Sequence, residues 1–422
     1  MYKLITLPNG LRVITEYIEY VNSVSVGLLV NSGSRNENEE NKGISHFIEH
    51  MLFKGTKNRS SKKIAEDIEN VGGQINAYTS KESTCYYIKT LDTHLDLALE
   101  VLSDMLLNSK FDEVEIKKEK GVVVEEINMN DDMPEEVLFD IHAKATFGEH
   151  SLSLPILGSK ETVKAFSRDK IFDYLNKNYV PKNSVISICG NFDIKKLEEL
   201  VTKYFGEWKL GESPIISDVP KIKNDFIHMK KNIEQLHIAL GMKGVPMGDS
   251  KSYGLVLLNN IFGGSTSSIL FQKIREEMGI CYSVYSYLLP YKNVGTLNIY
   301  AGLNSDYSEK ALMVIKEELE KFVEVGVSKE QLSINKEKIK ASYILGLEST
   351  SGRMFSNGKS VLFLNRIKDP KEIIKKVDAI DYNMIHEVLE ECFNPGIQNG
   401  AFLGKKIDNE KLSVLCQKDI LI

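Results

Sequence analysis

Two histidines and a glutamate stand within five residues of one another, His46, Glu49 and His50, inside the apolar stretch GISHFIEHMLFKGT (43–56). On a helix, residues four apart share a face. His46 and His50 therefore present two imidazoles to one point. Glu49 lies beside that face, within reach of a water the imidazoles hold. A catalytic zinc keeps three protein ligands and one open position for water. The metal lowers the pKa of that water to about 7, and a neighbouring carboxylate can take the proton and pass it to a leaving amine. The order H-x-x-E-H, the reverse of H-E-x-x-H, thus makes His46 and His50 candidate ligands and Glu49 the candidate general base.

A third ligand must come from elsewhere. EKGVVVEE (119–126) puts Glu119 and Glu126 seven residues apart, two turns along one helical face. Taken alone, acids so placed describe a solvated face. Beside two histidines, one can ligate a metal and the other can orient a histidine or hold charge behind it.

The elements that must position these residues alternate between strands and helices. LPNGL (7–11) reads as a hairpin turn and VSVGLLV (24–30) as a strand. KGISHFIEHMLFKG (42–55) reads as a helix, and SSKKIAEDIENVG (60–72) as a helix with serine caps and a glycine stop. Residues 73–80 and 83–90 pair as a hairpin, 94–107 is amphipathic at helical spacing, and 112–132 is a long helix despite Val122, Val123 and Val124. SVISICGNF (184–192) is a strand that closes the first unit.

KLGESPIISDVPKIKND (209–225) is the best linker in the chain. It implies an N-terminal domain over 1–210, a linker over 211–225 and a C-terminal domain over 226–422. The halves read as diverged repeats, because HIALGMKGVP…SYGLVLLNNIFGG (237–264) repeats the strand–loop–helix pattern around the histidines. That alignment sets Leu255, Leu258 and Asn259 opposite His46, Glu49 and His50, giving the second half the scaffold without the ligands.

Bulk properties narrow the function. A net charge of −6 and the absence of a basic block argue against a nucleic-acid partner. There is no run of 18 apolar residues, so no membrane span is expected, and the opening MYKLITLPNGLRVITEY, without a basic stretch followed by an apolar one, gives no expectation of a secretory signal. The cysteines number five, without a CxxC pair, which reads as reduced thiols in a cytoplasmic compartment.

With these residues assembled, the chain resembles the pitrilysin/insulinase family of zinc peptidases, above all its short bacterial members similar to mitochondrial processing peptidase. The likeness runs over nearly the whole chain. The family's inverted zinc motif falls on His46, Glu49 and His50, and its downstream ligand on Glu126, 76 residues after His50. Its helper acid falls on Glu119. GGQINAYTSKEST (72–84) resembles the family's substrate-edge segment, with Asn76 and Ala77 at the substrate-contacting positions. REEMGICYSVYS (275–286) resembles its Arg–Tyr element, with Arg275 and Tyr282 placed to polarise or hold the scissile carbonyl. FGGSTSSILFQKIREE (262–277) lacks the G-x-x-x-x-G-K-[ST] of a phosphate loop; in processing-peptidase relatives a glycine-rich segment near this place helps recognise substrate.

The resemblance implies an α+β fold of two homologous domains, each a mostly antiparallel sheet with helices packed on it, the second metal-free and supplying Arg275 and Tyr282. It implies a Zn2+-dependent endopeptidase acting on extended peptides or unfolded segments in a chamber built by two chains, hence a homodimer or a heterodimer. Two other readings compete. One is a non-catalytic partner subunit of a processing-peptidase-like heterodimer, although such subunits typically lose part of the motif that is intact here. The other is a zinc lyase of the S-ribosylhomocysteine type, which pairs H-x-x-E-H with a downstream cysteine, for which Cys189 is the nearest candidate.

Overall fold

The computed structural model describes residues 2–212, 214, 218–405 and 408–416. Residues 213 and 215–217 of the expected linker lie outside the described residues. The chain forms two compact units. Unit 1 is Met1–Asn128, Leu154–Ile216 and Ile344–Asp369; unit 2 is Met129–Ser153, Ser217–Tyr343 and Pro370–Ile422.

Unit 1 is built on a six-stranded sheet of β1 (Tyr2–Thr6), β2 (Arg12–Tyr17), β3 (Ser23–Val30), β4 (Gln74–Thr79), β5 (Thr84–Leu91) and β6 (Ser184–Gly190). Its order is β1-β2-β6-β3-β5-β4, with β2 and β6 parallel and every other pair antiparallel. All of β3 beyond Ser23 is buried. That is what a strand covered on both faces requires, and why its sequence is an unbroken apolar run rather than an alternation. One face packs against α1 (Ile44–Leu52), α2 (Ser61–Glu69), α3 (Leu95–Asn108) and α4 (Glu113–Asp132) in a core that includes Val26, Phe47, Ile64, Leu99 and Val123. In α4, Val123 is buried and Val122 exposed, so only one stripe of the valine run faces inward and tertiary burial overrides its β preference.

The other face of this sheet is covered by helix Thr350–Leu364, from the far end of the chain. Gly27 and Gly358 permit the close approach: a Cβ on Gly27 would stand 2.3 Å from Met354 Sδ, and one on Gly358 would stand 2.6 Å from Leu29 Cδ1. The Glu16 carboxylate, buried in β2, accepts from Arg353 and from Asn357 Nδ2, the latter at 2.8 Å.

Unit 2 holds β7 (Phe226–Lys230), β8 (Gln235–Gly244), β9 (Cys281–Pro290), β10 (Gly295–Asn304) and β11 (Asn399–Gly404), in the order β7-β11-β8-β10-β9. Its only parallel pair is β7 with β11. Strand for strand this repeats β2-β6-β3-β5-β4, so the halves are two copies of one topology. The counterpart of α1 is helix Ser252–Phe262. There Leu255 and Leu258 are buried, and Asn259 Oδ1 accepts from Ser286 Oγ at 2.7 Å. The helix keeps the scaffold and spends the ligand positions on packing.

A linear division at 210–226 misses one feature. Helix α5 (Pro134–Phe147) belongs to unit 2, where Leu138 and Ile141 pack with Ala239, Tyr300, Ala401 and Leu403. Helix Thr350–Leu364 belongs to unit 1. Each follows the long helix of its own half, so the halves exchange equivalent helices. An apolar stripe says that a helix packs on a sheet, not which sheet.

Candidate metal centre

The entry into α1 is fixed by backbone chemistry. Gly43 caps the helix at φ +89°, and a Cβ there would lie 2.6 Å from the Leu157 carbonyl oxygen, so the position excludes larger residues. The buried Glu37 carboxylate accepts from the Gly43 and Ser45 amides at 2.7 and 2.8 Å, satisfying N–H groups that a helix start leaves unpaired. Phe47, Ile48, Met51 and Leu52 bury the apolar face. His46 and His50 then project together, their rings 4.5 Å apart.

Glu126 of α4 meets them. Its Oε1 lies 3.7 Å from His46 Nε2, and its Oε2 lies 3.4 Å from His50 Nε2. One donor atom from each of the three residues falls within 4.8 Å of the others, the only such cluster among the described residues. Glu126 Oε2 and His46 Nδ1 are buried and make no hydrogen bond. Two imidazole nitrogens and a carboxylate, with a buried oxygen left unsatisfied, fit a four-coordinate divalent ion with one position open.

Glu119, two turns before Glu126, accepts from His50 Nδ1 at 2.8 Å through Oε1. That bond puts a proton on Nδ1 and turns Nε2 toward Glu126. The other Glu119 oxygen takes the Lys54 ammonium at 2.8 Å. The two imidazoles consequently differ when no cation lies between them. Burial, with His50 alongside, pushes His46 down to about 4. Burial also pulls on His50, but its bond to Glu119 and the negative charge of Glu126 close by outweigh that and raise it to about 9. His50 in turn holds the Glu126 carboxylate below the usual range. A proton on His50 stands where a cation would otherwise satisfy the carboxylates.

Glu49 is half-buried beside this cluster. Burial raises its pKa, and a hydrogen bond donated by the Thr79 hydroxyl opposes the rise. Thr79 is the last residue of β4, and β4 is one of the two edge strands of its sheet. Asn76 and Ala77 lie on the same strand, facing Tyr87 and Tyr86 of β5; Asn76 is exposed and Ala77 half-buried. One edge of β4 is thus unpaired and its end touches the acid next to His46 and His50.

Arg275 and Tyr282 belong to unit 2. Arg275 sits in the helical turn Phe271–Glu277, its guanidinium carbon 4.7 Å from the Phe271 ring centroid and 5.1 Å from that of Tyr282. Tyr282, at the start of edge strand β9, is 75% exposed. The glycine-rich Gly263–Thr266 segment lines a cavity of about 240 Å3 with them.

Two residues of the centre escape a reading of the motif alone. Thr79 is visible only once the hairpin is folded against α1. Lys54 had a local signal, since it follows His50 by four residues. Cys189 stands apart from the cluster: it is buried in β6 with Asn357 Nδ2 at 3.4 Å, and burial raises its thiol to about 12. All five cysteines are free, and among the described residues no helix is long and apolar enough to cross a membrane.

Residues 12–160 match the family described as Insulinase (Peptidase family M16), and residues 165–339 match Peptidase M16 inactive domain. The chain is 42% identical over 393 residues to a Bacillus subtilis protein named as the zinc protease YmxG, covering 93% of this chain and 96% of that one. It is 33% identical over 419 residues to the zinc protease ML0855 of Mycobacterium leprae, covering 97% and 94%. Among solved structures, a protease from Helicobacter pylori superposes with a TM-score of 0.88 at 24% identity, covering 96% of this chain and 99% of that one. A Pseudomonas fluorescens structure described as a peptidase M16 inactive domain also gives 0.88, at 16% identity and 99% coverage of both chains. By the family matches over both halves and the relatives of 33–42% identity over nearly its whole length, the chain belongs to the insulinase family of peptidases, family M16.

Proposed function

We propose that this chain is a zinc-dependent endopeptidase that hydrolyses extended peptides or unfolded segments. The observation that carries the reading is the free edge of β4, whose terminal Thr79 is bonded to Glu49 next to His46, His50 and Glu126. An unpaired edge offers backbone N–H and C=O groups that an extended peptide can pair with. Folded substrates keep those groups for themselves.

His46, His50 and Glu126 hold the zinc in this reading, and Glu119 orients His50. Bound there, zinc supplies Lewis-acid polarisation of a peptide carbonyl and a water acidic enough to lose its proton near neutral pH. Glu49 takes that proton and delivers it to the departing amine nitrogen. Its raised pKa suits both halves of the task, because a carboxylate closer to neutrality is a better base and, once protonated, a serviceable acid. Asn76 and Ala77 contact the substrate strand. Arg275 and Tyr282 act on the substrate carbonyl, a role that suits a cation held on a phenol ring. The working form is a dimer, as homodimer or with a metal-free partner chain, and five free thiols suit the cytoplasm.

The test is cleavage of one protein in folded and in permanently unfolded form. The reading expects the unfolded form to be cut at least tenfold faster. Equal rates would contradict the edge-strand mode of binding.

A further inference from the structure

Glu119 is nearly sealed from solvent, with its side chain 4% exposed, and it has two partners on two different oxygens. His50 Nδ1 donates to Oε1 and the Lys54 ammonium to Oε2, both at 2.8 Å. A buried carboxylate satisfied on one oxygen alone is costly, and it relieves that cost by rotating or by taking a proton. Two partners on opposite oxygens fix its plane instead. Lys54 can reach it because it lies one turn past His50, where the chain leaves α1: the Lys54 amide is bonded to the Met51 carbonyl at 3.0 Å, prolonging the helical course.

We propose that Lys54 is a positioning residue of the metal centre: it clamps the second oxygen of Glu119, so that the first holds the His50 ring with Nε2 turned toward His46 and Glu126. This rests on the reading of those three residues as the zinc site. Two effects of Lys54 oppose one another. A cation repels a dication, so its removal would tighten metal binding through charge alone. Its removal also frees Glu119 and with it the His50 ring, which loosens binding. The Lys54 side chain is 28% exposed, so its charge is partly screened, and its ion pair is with Glu119. The geometric effect therefore dominates. Zinc with the carboxylates of Glu126, Glu119 and Glu49 also needs one further positive charge for neutrality, and Lys54 supplies it.

The experiment measures the zinc dissociation constant by competition with a chromogenic chelator for the wild type, Lys54→Met, Lys54→Arg, Glu119→Gln and the Lys54→Met/Glu119→Gln double variant. Lys54→Met is expected to bind zinc about 10–100-fold more weakly, the range for losing an outer partner of a ligating histidine. Lys54→Arg should keep most of the affinity. In the Glu119→Gln background, Lys54→Met should add no further loss, which also guards against instability of the single variant, since that background has no buried charge to leave unpaired. Zinc binding by Lys54→Met as tight as wild type or tighter would overturn the proposal, and so would full additivity in the double variant. A wild type that binds no zinc would instead overturn the metal-site reading, and this proposal with it.

Discussion

The Thr79 hydroxyl donates to the Glu49 carboxylate, joining the last residue of edge strand β4 to the acid that precedes His50. One hydrogen bond thus links the place where an extended peptide can pair to the group that handles the proton. The bond also opposes the rise that burial imposes on Glu49.

Thr79→Val keeps the β-branched shape and removes the donor. Glu49 then rises further, and a base with a higher pKa is protonated over more of the acidic range. The acidic limb of kcat/KM should move to higher pH, with kcat/KM near pH 7 down about tenfold, the scale of one hydrogen bond to a charged group. Zinc content should not change. A pH profile superimposable on wild type would remove Thr79 from the account.

Glu49→Gln spares every ligand. It should retain zinc and lose about 10²–10⁴-fold in kcat, the range for a general acid–base group. Metal analysis beside turnover separates this from His46→Ala or Glu126→Gln, which should lose the metal together with the activity. Turnover close to wild type in Glu49→Gln would mean that another group handles the proton.

Arg275→Ala and Tyr282→Phe should lower kcat about 10²-fold, as expected for removing a group that stabilises charge on the carbonyl, with zinc content intact. Loss of zinc in either variant would contradict the role assigned to them, because both residues belong to unit 2 and neither is a ligand.

Acid should weaken unit 2 through a residue that is not part of the His46–His50–Glu126 cluster. His142 of α5 is fully buried, its Nε2–H donating to Asn399 Oδ1 at 3.0 Å, and burial lowers its pKa from 6.5 to about 4. An unfolded chain takes up the proton below 6.5 while folded His142 refuses it until about 4. Stability is therefore full above that window and falls as the pH drops through it, by on the order of 3 kcal/mol at its lower end. Denaturant titrations at pH 7 and 4.5 should show the loss, and His142→Gln should reduce the difference between them.

Much of the site was legible because its chemistry is local. His46, Glu49 and His50 occupy one helix, and i, i+3 and i+4 spacing already says that they converge. Glu119 and Glu126 were legible as one face of a second helix. Their division of labour came from the family resemblance, since either spacing alone permits both roles. Thr79 and the Lys54–Glu119 pair are tertiary: nothing in a hairpin or a helix exit announces which acid it will meet. The repeat was readable from strand–loop–helix patterns, and the shared strand order explains it. The exchange of α5 and helix Thr350–Leu364 was not readable, because Leu138 and Ile141 would serve equally well against either sheet. Gly27 and Gly358 carried the only sequence trace of that packing, as glycines inside a strand and a helix, and they become informative only once Met354 and Leu29 are seen against them.

The central claim is that His46, His50 and Glu126 make this chain a zinc peptidase. The most direct measurement is zinc per chain in the purified protein, paired with cleavage of a quenched fluorescent unstructured peptide before chelation, after chelation and after zinc is restored. The account predicts one zinc per chain, with cleavage that chelation abolishes and zinc restores. A protein that binds no zinc, or that cleaves equally well without it, would contradict the account.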